Sequence, residues 1–290
     1  MIFYLSILEA FKYTPNYFYF ISLIFGLLVG SFLNVVIYRT PIILKKQWLL
    51  DCQALQGKKV KSKSLYNLTS PGSRCPFCKR SIKPLDNIPI LSFLFLRGKC
   101  RFCNSPISLR YPLIELFTGL LFTFTSYQFG LSFLTVYAWI FIALLIVLTW
   151  IDIDTHLLPD HLTISLLWLG LIINIKSGFV NLESAVLGAV VGYFILWIIF
   201  WMFKLITGKE GMGYGDFKLL SALGAWLGWE SLLPIVIVSS FIGSVVGVFL
   251  IILKTHQKSS AIPFGPFLSL AGLVVFFYHK NINQIFMIFL

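Results

Sequence analysis

Apolar residues along this chain come in long runs, separated by short polar stretches and by one long polar interruption. The runs lie at about 17–38, 112–129, 132–150, 161–175, 183–206, 216–229, 232–254 and 263–279. Runs of this kind predict helices that cross a bilayer. Two of them, 161–175 and 216–229, are short for a bilayer, which predicts tilting, local thinning or partial re-entry. The predicted fold is therefore all-α and polytopic, with about eight transmembrane helices and a loop domain at 39–110 between the first two. Glycines four apart recur inside the runs, at Gly26 and Gly30, Gly188 and Gly192, and Gly243 and Gly247. That spacing lets helix backbones approach closely in lipid, although glycine is common in membrane helices in any case.

Composition agrees with this pattern. Of 290 residues, 58% are hydrophobic and 12% charged, whereas a soluble domain carries about a quarter charged residues. A water-soluble globular protein is excluded. The N-terminus does not read as a cleaved signal, because Glu9 and Lys12 precede the first apolar run and no small-residue cleavage site follows a basic start. The first span is expected to stay in the mature protein.

Charge gives the topology. Positions 39–110 hold fifteen of the 23 Lys and Arg and only two acids, Asp51 and Asp86, so this loop is +13 and the remaining chain −1. Such a block would suit nucleic acid in a soluble protein. Beside a membrane span it marks the cytosolic side, and no nucleic-acid partner is expected. The N-terminus then lies outside, and 151–160, 207–215 and 255–262 face the cytosol. Lys204, Lys209, Lys254 and Lys258 flank those loops, while Lys12, Lys176 and Lys280 fall on the other side.

Inside the basic loop, four of the five cysteines form Cys75-Pro-Phe-Cys78 and Cys100-Arg-Phe-Cys103. Two such pairs can place four thiolates around one Zn²⁺. Two disulfides or a redox pair are the alternatives, and a cytosolic setting disfavours stable disulfides. A closed four-thiolate site folds the loop rather than catalysing. Each pair is followed by polar residues suited to a turn, Lys79-Arg80-Ser81 and Asn104-Ser105-Pro106. The apolar stretch from Ile88 to Leu96 is too short to span, and is expected at the interface or packed on the membrane domain. Cys52 is left without a role.

Acidic residues are few and placed at predicted helix ends. Asp152 and Asp154 close one run within Trp150-Ile-Asp-Ile-Asp-Thr-His-Leu-Leu-Pro-Asp160, and Asp216 opens another behind Gly213-Tyr214-Gly215. By the topology, Asp152 and Asp216 share a side and a depth. A helix cap is the ordinary account of an aspartate at such a place, and Asp160 and Asp154 read as caps or substrate contacts. Yet an ionisable residue at membrane depth points to function. Glycines before Asp216 would let another backbone lie beside its carboxylate. Two carboxylates converging on one water form an acid–base pair.

These segments together resemble the type IV prepilin peptidases, or leader peptidase–N-methyltransferases. The likeness rests on GSFLNVVIYR (Gly30–Arg39), the paired CxxC loop, RGKCRFC (Arg97–Cys103), IDIDTHLLPD (Ile151–Asp160) and GYGDFKLL (Gly213–Leu220). The last contains the GxGD motif of presenilin-like intramembrane aspartyl proteases, with Gly213, Gly215 and Lys218 around the aspartate. The resemblance implies a multi-pass protein of the bacterial inner membrane, with 1–38 as N-terminus and first helix, 39–110 as the tetracysteine loop and 111–290 as the protease core. Its implied activity is cleavage of the basic leader of prepilins and pseudopilins after a glycine at the cytosolic face. Its second implied activity is N-methylation of the new N-terminus with S-adenosylmethionine. It implies Asp216 as one catalytic residue and Asp152 or Asp154 as the other. The family spacing favours Asp152, 64 positions earlier. It relates Gly98 and Lys99 to methyl transfer, and it implies the bifunctional form because all four cysteines are present. No GxGxxG follows a strand, so a methyl-donor pocket must be of another kind. Asp154, Asp160 and Glu210 offer counter-charges for leader cations. Two rival classes are a proton-coupled transporter using Asp152 and Asp216 as a relay, and a non-enzymatic assembly factor. Both acids lie near one face, against the first, and the second leaves the GxGD run without a use.

Overall fold

The computed structural model describes residues 15–57, 66–176, 178–253 and 262–287, with 279–287 described by backbone alone. Glu9, Lys12, Lys254, Lys258 and the side chain of Lys280, used in the charge argument, lie outside the described residues. Among the described residues nine α-helices follow one another: α1 (Pro15–Leu55), α2 (Leu91–Phe95), α3 (Arg110–Phe129), α4 (Phe133–Thr155), α5 (Asp160–Asn174), α6 (Leu182–Thr207), α7 (Tyr214–Leu227), α8 (Leu232–Ile252) and α9 (Gly265–Met287). Among the described residues there is no extended strand, only two isolated bridges, Arg74 with Ser81 and Lys99 with Pro106.

Helices occupy all eight expected segments. By length and apolarity, four described segments suffice to cross a membrane: α1, α4, α6 and Trp229–Ile252, which contains α8. Asp160–Asn174 and Gly265–Tyr278 are apolar but shorter. The first helix corrects the expected boundary, since it runs on past Arg39 to Leu55 and takes Pro41 inside it. Positions 42–55 are rich in Leu, Lys, Gln and Ala, which favour helix without being apolar enough to register as a span.

The chain divides into two compact units, 1–143 and 144–290, with the division falling inside α4. In the first, α1 and α3 pack with almost no side chain between them. A Cβ at Gly26 would stand 2.7 Å from Gly119 Cα, and one at Gly30 the same distance from Glu115 Cα. Ser126 Oγ donates to Ser22 Oγ across this seam (2.8 Å). Trp139, at the start of α4, stacks on Phe122 at 5.1 Å and donates from Nε1 to the Phe122 carbonyl. The cysteine-bearing lobe is tied down by buried Arg39, whose guanidinium donates to the carbonyls of Asn67, Leu68 and Pro71.

In the second unit, α7 is the central element. From Asp216 to Leu227 every residue except Lys218 is buried. Gly188 of α6 and Gly224 of α7 touch backbone to backbone, and a Cβ on either would collide with the other's carbonyl. Gly192 meets the Leu220 carbonyl one turn on. On another side, α5 contributes Gly170 against Trp226, whose Nε1 donates to the Leu166 carbonyl (2.7 Å). Asn174 Nδ2 donates to the Ala225 carbonyl (2.9 Å). Gly272 of α9 closes against Leu223. This packing explains the short run at 216–229. At about 1.5 Å per residue, fourteen residues fall short of the roughly 30 Å hydrocarbon core. A helix wrapped by protein need not span it. Of the three glycine pairs, the first two sit at close backbone contacts. Gly243 and Gly247 have only looser neighbours, at 3.2 Å or more.

Candidate functional site

Three helix ends of the second unit converge on Leu158. The first is the last turn of α4, which carries Asp152. That helix stops because His156 takes a left-handed backbone (φ 52°), and its N–H donates to the Asp152 carbonyl (2.9 Å). Leu157, Leu158 and Pro159 then lead into α5. The second end is the start of α7, where Asp216 sits in the first turn behind Gly213 and Gly215. A Cβ at Gly215 would stand 2.7 Å from Leu158 Cβ. The third is the start of α9, where a Cβ at Gly265 would lie 3.2 Å from Leu158 Cδ1 and 2.6 Å from Asp152 Oδ2.

Both carboxylates are 5% exposed. Asp152 Oδ2 accepts the backbone N–H of Gly265 at 3.1 Å. Asp216 Oδ2 accepts that of Gly213 at 3.2 Å, reaching back from the third helical position to the residue preceding the helix. Asp216 is thus a helix cap as well as a buried acid, so the two accounts of it are compatible. Leu158 lies against both Gly215, the neighbour of Asp216, and Gly265, which contacts Asp152. The glycines before Asp216 differ in purpose. Gly215 is required by Leu158, whereas beside Gly213 a Cβ would meet nothing nearer than 3.9 Å. The backbone there is extended (φ −86°, ψ 153°) and exposed.

The remaining acids lie elsewhere. Asp154 is exposed, and two positions along a helix turn it away from the face that carries Asp152. Of the two roles expected for Asp160, cap or substrate contact, the cap is not seen, because α5 has Pro159 at its N-cap and no side-chain cap. Instead Asp160 Oδ1 accepts from Lys218 Nζ at 2.6 Å, joining the start of α5 to α7. Proline before the helix supplies a fixed φ in place of a capping oxygen. Glu210 pairs with Lys204 at 2.8 Å.

In the first unit the four thiols meet. Cys75, Cys78, Cys100 and Cys103 hold their sulfurs within 4.8 Å of one another. Cys75 Sγ and Cys103 Sγ are 3.8 Å apart, the edge of about 3.8 Å that a tetrahedron with Zn–S bonds of about 2.3 Å requires. The donor set therefore fits a metal ion such as zinc. The two pairs are built alike. Cys75 and Cys100 each donate their N–H to the residue five positions on, Arg80 and Ser105, and Lys79 and Asn104 turn with positive φ (60° and 54°). The backbone N–H of Cys78 is the main influence that lowers the Cys75 thiol to about 6, and the Ser105 hydroxyl lowers Cys103. Both favour the thiolate that binds metal. Gly98, at φ 66°, turns the chain before Cys100, and its N–H donates to the Phe93 carbonyl (2.9 Å). Lys99 is exposed on the bridge to Pro106. In the stretch from Ile88 to Leu96, Ile88, Leu91, Leu94 and Phe95 are exposed, while the Ile90 N–H donates to Glu115 of α3.

Two residues escaped the sequence reading. Gly265 acts through its backbone, and its sole signal is the Gly-Pro pair that opens a helix. Glu115 is an acid inside an apolar run, a signal that was available.

Comparison with known proteins defines the class. Residues 24–129 match the bacterial peptidase A24 N-terminal domain, and residues 139–248 match the type IV leader peptidase family. The chain is 46% identical to a protein of Aeromonas hydrophila over 96% of its own length and 97% of the other's. It is 44% identical to one of Pseudomonas aeruginosa over 95% of each. It is 48% identical to one of Neisseria gonorrhoeae over 88% of this chain and 89% of that one. All three are named prepilin leader peptidase/N-methyltransferase. No solved structure matches significantly. The chain belongs to the type IV leader peptidase family.

Proposed function

We propose that this protein is a membrane aspartic endopeptidase that removes the basic leader of prepilins and pseudopilins after a glycine, and that it then N-methylates the new N-terminal residue with S-adenosylmethionine. The observation that carries the first activity is the pairing of Asp152 and Asp216. They are the two carboxylates buried at the Leu158 junction, each held by one backbone N–H. One ionised aspartate takes a proton from water as the water oxygen attacks the scissile carbonyl carbon. The other, protonated, donates to the carbonyl oxygen. Collapse of the tetrahedral species breaks the C–N bond, and the proton taken from water passes to the departing amine. The open, extended backbone at Gly213 supports an approach by the substrate chain beside Asp216.

Asp154, Asp160 and Glu210 serve the leader's cations in this reading. The last two are paired with lysines at exposed positions. Such pairs are worth about 0–1 kcal/mol, so an incoming leader can exchange with them. Lys218 would hold Asp160 ready between visits. The four cysteines hold one structural Zn²⁺, and S-adenosylmethionine supplies the methyl group. The long helices cross the inner membrane in this reading, except α7, which is wrapped by the second unit, and the aspartates lie at the cytosolic face.

The test is cleavage of a prepilin by purified protein carrying Asp152→Asn or Asp216→Asn. Each should lose about 10³-fold or more in kcat, because a dyad fails when either member is lost, while folding and metal content stay unchanged. A folded Asp152→Asn protein that cleaves normally would remove Asp152 from the mechanism.

A further inference from the structure

A cavity of about 750 Å³ lies entirely within the first unit, between α1, α3 and the cysteine lobe. Its size falls within the roughly 300–1,000 Å³ of small-molecule sites. Nothing in the peptidase chemistry uses it. Its walls combine two features. One is flat apolar surface, from Tyr38 and Tyr66 beside α1, Phe93 and Phe102 in the lobe, and Tyr111 of α3. The other is Glu115, a carboxylate 8% exposed in a largely apolar helix. Its partners are the Ile90 N–H at 2.8 Å and the Ser31 hydroxyl, with no cation among them. Gly30 is what admits it, since any side chain there would collide with Glu115 Cα.

A buried carboxylate without a cation is costly and marks a binding function in a membrane protein. Three of the cations in the wall have other partners. Arg39 is held by three backbone carbonyls and lies over Tyr66, Arg101 pairs with Asp86, and Arg80 lies over the Phe102 ring. The cavity therefore suits a ligand with a flat ring system and a positive centre.

We propose that this cavity is the binding site of the methyl donor S-adenosylmethionine, with the Glu115 carboxylate as counter-charge to its sulfonium and the aromatic walls as the surface for its adenine. The proposal rests on the methyltransferase reading above and adds the place and the residues. Arg74, also in the wall, provides a counter-ion for the donor's carboxylate. Gly98 bears on the same site indirectly: a Cβ there would press on the Phe93 ring at 3.0 Å.

The test compares two ligands that differ in the sulfonium charge. Binding of S-adenosylmethionine and of S-adenosylhomocysteine to the full-length, zinc-loaded protein is measured by calorimetry, for wild type and Glu115→Gln. Glutamine keeps an acceptor for the Ile90 N–H and removes only the charge. The affinity for S-adenosylmethionine should fall roughly tenfold or more, and that for S-adenosylhomocysteine by less than about threefold. Equal loss of both, or loss of neither, overturns the role of Glu115. Independently of any variant, ultraviolet cross-linking of methyl-labelled S-adenosylmethionine to wild type should label peptides containing Tyr38, Phe93 or Tyr111. Labelling confined to 144–290 overturns the cavity assignment while leaving the methyltransferase reading intact. Absence of both binding and methyl transfer in wild type overturns that reading itself.

Discussion

Replacing Gly265 with alanine tests the aspartate geometry without touching either carboxylate. The backbone at 265 is not in the left-handed region, so alanine introduces no backbone strain there. Its Cβ would stand 2.6 Å from Asp152 Oδ2 and 3.3 Å from Asp152 Cγ. Ordinary contact begins at 3.4 Å, so the carboxylate must retreat by about 0.8 Å, and the hydrogen bond from the Gly265 N–H must bend with it. A misplacement of about 1 Å at a reacting group can cost about 10²-fold in rate. The expectation is therefore a fall of about 10²-fold in kcat for prepilin cleavage, with KM changed by less than about twofold. Gly247→Ala in α8 is the control, because its Cβ would meet nothing nearer than 3.6 Å. Cleavage is followed by gel shift of a detergent-solubilised prepilin, with elution profile and thermal unfolding recorded in parallel. A folded Gly265→Ala enzyme with kcat within threefold of wild type would refute the reasoning that Asp152 must stay where Gly265 holds it.

Purified protein should carry about one Zn²⁺ per chain, and Cys75→Ser or Cys100→Ser should release it, as metal analysis would show. In the metal-free lobe, the Cys75 thiol is lowered to about 6 and the neighbouring Cys78 thiol raised to about 11 from the ordinary value of 9.0, so their effects on stability above that value oppose one another. Bound metal competes with protons for the four thiolates, so it should be lost on acidification below the Cys75 value of about 6, and retention unchanged at about pH 4 would contradict it. Gly98→Ala forces a side chain onto Phe93 at a backbone of φ 66°, so mass spectrometry should find cleaved but under-methylated pilin. Gly224→Val should destabilise the second unit by about 3 kcal/mol or more, since backbone, not side chain, blocks the added atoms. Normal thermal stability would show that α6 and α7 can separate cheaply.

What the sequence made legible follows from where each interaction is encoded. The cysteines were readable because metal ligation fixes both residue type and spacing within a few positions, and the four sulfurs do meet. Asp216 was readable because its glycines are adjacent to it. The close helix pairs at Gly26 and Gly30 and at Gly188 and Gly192 followed from a spacing that a helix face repeats. The end of α1 was missed because apolarity stops at Arg39 while helix propensity continues to Leu55. The short α7 was read as a tilted, thinned-around or partly re-entrant span and not as a helix wrapped by protein, since burial by protein and burial by lipid demand the same residues. Asp160 was read as a cap or a substrate contact, because local sequence cannot show Lys218 arriving from 58 positions away. Gly265 was missed for a related reason: its Gly-Pro pair marks a helix start, but the backbone N–H that meets Asp152 has no residue type.

The bond from Gly265 to Asp152 also bears on how the protein is made. Its two ends are 113 residues apart. At about 5–20 residues per second, the ribosome needs roughly 6–23 s after Asp152 to synthesise Gly265. Throughout that interval the first aspartate lacks the donor that positions it, even after Asp216 has been made. A nascent or prematurely terminated chain that ends before α9 therefore carries both acids without an assembled site. On the proposed pairing of Asp152 with Asp216, leader cleavage therefore depends on α9, which is translated after both acids.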